Sequence, residues 1–276
     1  QKIADRLKKI SRKVVITPWG SDVLRAKKYQ LRGLRKLVQK SNWVTCTQGS
    51  RFEKDIVTLL DIPKEKLYNL PIGIASIDEI LSRPFITDEQ AKRVWGFEGK
   101  YVIVIGYNGS PAHNHIKVIK SLVFMKKQLP TNTILVCPMT YGGNPVYRKK
   151  IKRLLWNSQF ENQILENYLT AEELVCLRKA TDLFIHAQNT DANSGTIAEY
   201  LLCRKKIVNP TWITYPHYET YGSPFYSFSN FEELPQAIMK AINDTSNKVS
   251  PLLTGNISES GWSKLACKWV ELYKKY

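Results

Sequence analysis

Short runs of β-branched and apolar residues alternate with helix-period stretches along most of the 276 residues, and no other feature restricts the fold as much. The runs VVIT (14–17), WVTCT (43–47) and LYNLP (67–71) read as buried strands. A second series follows in YVIVIGY (101–107), TILVCPM (133–139), QILEN (163–167), DLFIHAQ (182–188) and KIVN (206–209). Strands that are apolar nearly throughout need cover on both faces, which parallel α/β sheets obtain from crossover helices. Two capping boxes, Ser50 with Glu53 and Thr170 with Glu173, mark helix starts, and Asp61-Ile62-Pro63 ends the first of these helices. The expected fold is α/β with two parallel-sheet domains. Residues 1–75 form a partial first domain of about three strands, which reads as truncated. Residues 76–98, charged and carrying Pro84 and Gly96, read as the connection. Residues 99–257 form a complete second domain, and 258–276 a C-terminal helix.

Composition narrows the class. With 43% hydrophobic and 24% charged residues the chain is ordinary globular material. No run approaches the ~18 consecutive apolar residues of a membrane-spanning helix. The cysteines (Cys46, Cys137, Cys176, Cys203, Cys267) are odd in number and scattered, with no CxxC pair. They are expected to be reduced, mostly core thiols of a cytoplasmic protein, and no metal site is expected. The net charge of +17 is concentrated: residues 1–52 hold fourteen Lys or Arg against only Asp5 and Asp22. Two helical patterns carry it, one on Ile3, Leu7 and Ile10, the other on Leu31, Leu34 and Val38. A solvated basic face and docking on an anionic membrane surface both fit this pattern. No helix-turn-helix, zinc or RNP-type signature accompanies the charge, so no nucleic acid partner is expected.

Polar residues gather at expected strand ends, where open α/β sheets bind ligands. In DANSGTIAE (191–199), Asp191 lies in a loop and Glu199 eight positions later, inside the helix that follows. Ser194, Gly195 and Thr196 at the helix start offer free backbone N–H groups to an anion such as a diphosphate. After the first strand, Trp19 offers a stacking face, Gly20 close backbone approach, and Asp22 an acceptor for a sugar hydroxyl. Ser21 or Asp22 also serves as a helix cap, and the two readings are compatible. The aromatic loop Trp212, Tyr215, His217, Tyr218 and Tyr221 suits either carbohydrate stacking or packing, with Trp212 assigned to packing.

Four segments in this order, ITPWGSDVL (16–24), the stretch from SNWVTCTQGSRF onward, LPIGI (70–74) and TDANSGTIAEYL (190–201), resemble bacterial glycosyltransferases of the GT-B fold. The acid pair resembles their two-glutamate motif with Asp191 in place of the first Glu. YNGSPAHNHIKVI (107–119) and CPMTYGGNPVY (137–147) resemble the 4-acetamido-4,6-dideoxygalactose transferase family. The resemblance implies two Rossmann-like domains and transfer of a sugar from a nucleotide-sugar donor to a glycan or lipid-linked acceptor at the inner face of the cell membrane. The nucleotide-sugar is substrate, and no cofactor is implied. Glu199 would match the acid on the ribose hydroxyls, Asp191 the acid beside the donor sugar, and Asn167 and Tyr168 the resting place of the base. Trp19, Gly20, Ser21 and Asp22 would lie on the acceptor side. The Arg and Lys that many relatives aim at the diphosphate have no match in Asn108-Gly109-Ser110 or His113-Asn114-His115. Asn108, Ser110, Asn114, a protonatable His113 and the helix start at Ser194 are the expected substitutes. A glycan- or nucleotide-binding protein without turnover is the alternative, and after it a basic nucleic-acid-binding protein.

Overall fold

The computed structural model describes residues 6, 9, 11 and 13–274. The basic helix expected around Ile3, Leu7 and Ile10 lies outside the described residues. The first unit runs β1 (Val15–Ile16), α1 (Ser21–Leu24), α2 (Lys28–Lys40), β2 (Trp43–Cys46), α3 (Arg51–Leu60) and β3 (Leu67–Asn69). Its three strands are parallel in the order β1-β2-β3, with Val15 opposite Trp43 and Val44 opposite Leu67. Leu31, Leu34 and Val38 of α2 face inward, against Val44, Phe52 and Ile56. The charged side chains of Arg32, Arg35 and Lys36 stay outside. α3 begins where the capping signal stands: Ser50 Oγ accepts from the Glu53 N–H at 3.1 Å, and the Glu53 carboxylate accepts from the Gly49 N–H at 2.7 Å.

Residues 76–98, read from sequence as a connection, instead lie mostly in α4 (Ala75–Leu81) and α5 (Asp88–Trp95). Ile77, Ala91 and Phe97 are fully buried in the core of the second unit, because the apolar minority of this charged stretch is spaced to share one side. Next come β4 (Tyr101–Ile105), α6 (His115–Phe124), β5 (Thr133–Pro138), α7 (Pro145–Asn157), β6 (Glu161–Leu165) and α8 (Ala171–Ala180). The chain continues through β7 (Leu183–Ile185), α9 (Gly195–Leu202), β8 (Lys206–Pro210), α10 (Pro216–Glu219), β9 (Phe225–Phe228) and α11 (Leu234–Asn243).

All six strands are parallel, in the order β6-β5-β4-β7-β8-β9, and Ile103 sits between Leu135 and Leu183. The chain works outward from β4 to β6, crosses back to β7 and continues the other way, so the direction of winding reverses between β4 and β7. One face of the sheet is covered by α6, α7 and α11, the other by α4, α5, α8 and α9. Strand β6 begins two residues before QILEN, since an edge strand keeps Glu161 and Asn162 in solvent. Strand β9 was not read from the sequence: FYSF is short and follows turn-like Tyr-Gly-Ser-Pro. The last helices are α12 (Pro251–Ser258) and α13 (Trp262–Lys274). α13 returns to the first sheet, where Leu265, Trp269 and Leu272 pack on Leu70, and Trp269 Nε1 donates to the Pro71 carbonyl at 3.1 Å. No helix among the described residues is long and apolar enough to cross a membrane.

Candidate functional site

The reversal between β4 and β7 splays the loops at the carboxyl ends of these strands and opens a crevice there. After β4, Gly106 turns the chain with φ of 63°, and a Cβ there would stand 3.0 Å from His115 Nε2. The next residues are locked to the loop after β5. Gly109 N–H donates to the Tyr141 carbonyl at 2.7 Å, and a Cβ on Gly143 would lie 2.1 Å from the Gly109 oxygen. Asn108 Oδ1 accepts from the Ser110 N–H at 2.8 Å and Ser110 Oγ from the Ala112 N–H at 3.3 Å. Each therefore spends one acceptor on the loop and keeps its side-chain donor. Asn114, with φ of 55°, ties this loop across the crevice by donating to the Ala187 carbonyl at 2.8 Å and to Asn189 Oδ1 at 2.7 Å.

The histidines behave otherwise than expected. His113 is 1% exposed, and neither ring nitrogen has a hydrogen-bond partner. Burial first, then His115, His186 and Arg25, push its pKa down to about 2, so it is neutral and supplies no positive charge. His115 is held down at about 4 by burial, with Nδ1 3.1 Å from the Tyr147 hydroxyl. The expectation of a protonatable His113 beside a diphosphate fails for this reason: the ring is buried and no acceptor meets either nitrogen to stabilise a charge. Arg25, exposed just before α2, is a cation whose charge is felt at His113, and sequence reasoning missed it because the two residues belong to different units.

Across the crevice, Asp191 is held by two hydrogen bonds, with a third group nearby. The Tyr215 hydroxyl donates to Oδ2, the Ala192 N–H donates to Oδ1 at 3.0 Å, and His186 Nε2 lies 3.9 Å from Oδ2. Asn209 gives its amide hydrogens to the carbonyls of Pro210 and Ile213, so its oxygen accepts from His186 Nδ1 at 2.8 Å. That bond fixes the His186 ring, whose Nε2 lies 3.3 Å from Gln188 Oε1 and farther from the acid. Tyr215 is fully buried, and burial together with the Asp191 charge keeps its hydroxyl protonated as a donor. The aromatic loop thus wraps the acid rather than standing open: Trp212 Nε1 donates to the Gln188 carbonyl at 2.9 Å, and Tyr218 is 5% exposed. Tyr107 completes the wall, with its hydroxyl donating to Gln188 at 2.9 Å and approaching Ser194. α9 has no side-chain cap, and the N–H groups of Gly195 and Thr196 meet no acceptor among the described residues.

Glu199 points the other way along α9. It is 6% exposed; one carboxylate oxygen accepts from the Ser76 hydroxyl, the other from Arg178 Nε at 2.7 Å. Arg178 also donates to the Tyr200 hydroxyl at 3.1 Å and stacks over that ring at 4.6 Å. A ligand hydroxyl would have to share an oxygen already in use. At the far side, Asn167 and Tyr168 are exposed after β6, and Tyr168 stacks on Tyr141 with centroids 6.2 Å apart and planes within 6°. On the first unit, Trp19 is 73% exposed, while Asp22 accepts from the Trp19 N–H at 3.0 Å and so closes its own turn behind Ser21. Gly20, with φ of 103°, meets the second unit: a Cβ there would be 2.5 Å from Ala192 Cβ. Beside Asn193 a cavity of about 560 Å³ opens between the carboxyl edges of the two sheets, lined by Gln48, Asn69, His217, Tyr221 and Lys268 among others. A hydrogen-bonded chain crosses its mouth, from His217 to Asn193 at 2.9 Å and from Asn193 to Thr47 at 3.2 Å. No group of three or more His, Cys, Asp or Glu is placed to hold a metal among the described residues.

No family model and no curated protein matches the chain. Solved structures do. Sucrose-phosphate synthase from Thermosynechococcus elongatus superposes with a TM-score of 0.73 at 14% identity, over 99% of this chain and 70% of that one. HepE from Anabaena, in complex with UDP and glucose, gives 0.74 at 16%, over 99% and 74%. A glycosyltransferase from Rickettsia africae ESF-5 gives 0.73 at 17%, over 99% and 79%. At such identities the likeness establishes the fold, and the fold is the GT-B type: two parallel α/β units facing each other across a cleft.

Proposed function

We propose that this protein transfers a sugar from a nucleotide-sugar donor to a membrane-associated or lipid-linked glycan acceptor. The observation that carries the reading is the crevice at the winding reversal, where an oriented acid, Asp191, stands beside the uncapped start of α9. HepE, similar in fold, was crystallised with UDP and with UDP-glucose. In this reading the diphosphate takes the N–H groups of Ser194, Gly195 and Thr196, and the side-chain donors of Asn108 and Ser110 face it from across the crevice, with Asn114 tying their loop in place. The base rests near Asn167 and Tyr168. Asp191, aligned by Tyr215, accepts from the donor sugar, and the acceptor enters past Trp19 and Gly20. The bond from the anomeric carbon to the diphosphate oxygen breaks with its electron pair on the leaving group, and the acceptor oxygen bonds to that carbon as it gives up its proton. The leaving group comes with the donor, so the reading needs no cofactor. The protein works peripherally at the cytoplasmic face of the membrane, held there by its basic first unit.

One observation favours a second reading, binding without turnover: Arg178 is committed to Glu199, and the β4 loop brings no cation to the crevice. Two measurements test these readings. Thermal shift with a panel of nucleoside diphosphates, UDP first, should raise the melting temperature. Asp191→Asn should lower turnover of the sugar nucleotide by about a hundredfold, in the range for losing one preorganised contact at a reacting centre, while free nucleoside diphosphate binds nearly as before. Absence of any diphosphate binding would sink both readings; binding without turnover in the wild type would select the second.

A further inference from the structure

Between Glu98 and Glu161 the sequence contains no acidic residue and ten Lys or Arg. This tract builds α6 and α7, which lie side by side on one face of the second sheet. Their buried sides hold Val118, Ile119 and Leu122 on α6, and Ile151 and Leu155 on α7. Their outward stripes each carry two basic residues and then an aromatic one at helical spacing: Lys117, Lys120 and Phe124 on α6, in steps of three and four, and Lys149, Arg153 and Trp156 on α7, in steps of four and three. Phe124 is 82% exposed and Trp156 85%, more than any other aromatic side chain among the described residues. The two rings stand at the same end of the helix pair. Lys126, just past α6, donates from Nζ to the carbonyls of Ser158 at 3.3 Å and Gln159 at 2.5 Å, just past α7.

Around these rings Lys120, Lys127, Lys149, Lys150 and Arg153 have no ion-pair partner among the described residues. Bulky rings left in water beside unpaired cations match one environment well, the headgroup layer of an anionic bilayer, where rings sit at the interface and Lys or Arg meet lipid phosphates. A nucleic acid strand would call for a groove lined with stacking platforms, and a helix pair standing on a sheet offers none.

We propose that α6 and α7 form a second membrane-docking surface, in which Phe124 and Trp156 enter the headgroup layer of an anionic bilayer and the unpaired Lys and Arg side chains bind its lipid phosphates. The surface stands apart from the donor crevice and does not depend on the reaction proposed there. The test is co-sedimentation of the full chain with phosphatidylglycerol–phosphatidylcholine vesicles, with pure phosphatidylcholine as control. Three variants are compared: F124S/W156S, K120Q/K127Q/K149Q/K150Q/R153Q, and, on α2, K27Q/K28Q/R32Q/K36Q. All the altered side chains are exposed, so the thermal midpoint and the diphosphate-induced thermal shift should be unchanged.

Each of the first two variants should lose at least tenfold in vesicle affinity; for the charge variant that figure is conservative, at about fivefold per basic residue near the surface. Trp156 should contribute a blue shift on vesicle addition that W156F lacks. Wild-type affinity in both α6–α7 variants, with loss only in the α2 variant, would overturn the proposal. So would a wild-type protein that ignores anionic vesicles and binds duplex DNA instead.

Discussion

Replacing Glu199 by Gln removes a negative charge from a place where a positive one cannot leave. Arg178 and Glu199 are 5% and 6% exposed, and their ion pair closes at 2.7 Å. Burial alone works against the guanidinium charge, but Tyr200 and Glu199 outweigh it and hold the Arg178 pKa above its ordinary value. In Glu199→Gln the guanidinium stays charged and keeps only neutral partners. Breaking a buried pair from one side in this way costs about 3–5 kcal/mol, a large share of the 5–15 kcal/mol that holds a typical domain folded. Arg178→Met alone strands the carboxylate and should cost a similar amount. The double variant strands neither charge and should recover at least ~2 kcal/mol of the summed loss, within the range of coupling between residues in contact.

The assay is urea unfolding of the wild type, both single variants and the double. A coupling energy below ~0.5 kcal/mol would refute the reasoning, because the pair would then be no more than a screened surface contact. Isothermal titration on the same proteins separates this structural duty from ligand binding. If Glu199 also holds ribose hydroxyls, diphosphate affinity in Glu199→Gln falls by about 1.5–3 kcal/mol, the range for hydrogen bonds to a charged group. The Arg178→Met variant then separates a lost contact from a displaced helix.

Acid should destabilise the protein through its buried histidines. Burial holds His113 at about 2 and His115 and His217 at about 4, against 6.5 in the unfolded chain, so the unfolded state binds the extra protons. Stability is full above pH 6.5 and falls as the pH drops, by up to about 1.4 kcal/mol per pH unit for each histidine, until its folded pKa is reached. His113→Leu should reduce that slope by one histidine's share in urea midpoints measured from pH 7 to pH 5, and an unchanged slope would exclude His113 as a source. Gly143→Ala should cost about 1–3 kcal/mol, because φ of 69° is strained for alanine and its Cβ would strike the Gly109 oxygen. A variant with wild-type melting temperature and diphosphate affinity would show that the two loops are not interlocked in solution.

Local order was readable and non-local order was not. The capping signals at Ser50 and Thr170 work as written, since a cap needs only residues three apart. Alternation of strand and helix indicated two parallel sheets for the same reason: apolar spacing within a dozen residues reports burial. Strand β9 escaped because FYSF is too short to show a period. Residues 76–98 misled because average charge hid Ile77, Ala91 and Phe97. At the site, Asp191 and the start of α9 stood out in one segment. Their partners did not: Ser76 lies 123 residues from Glu199 and Tyr215 lies 24 from Asp191, and no pattern in the chain links such pairs. The acid-free tract before Glu161 was visible as bare sequence but drew no notice beside the denser one at residues 1–52.

The return of α13 to the first sheet has a consequence for the order in which the protein can be made. Trp269 reaches Pro71 across 198 residues of chain, and Leu265 and Leu272 press on Leu70 beside it. One side of the first sheet acquires α2 and α3 as soon as they are synthesised. The other side waits for a helix that leaves the ribosome only after the whole second sheet has emerged. During that interval Val15, Tyr68, Leu70 and Ile72 lack the cover that α13 gives them among the described residues, and the unit made first has an apolar back. Expressed alone, residues 13–74 should aggregate, and a separate peptide of residues 259–274 should rescue them. The two halves of the cleft are therefore set at one moment, when the last helix docks and fixes the first sheet opposite the second.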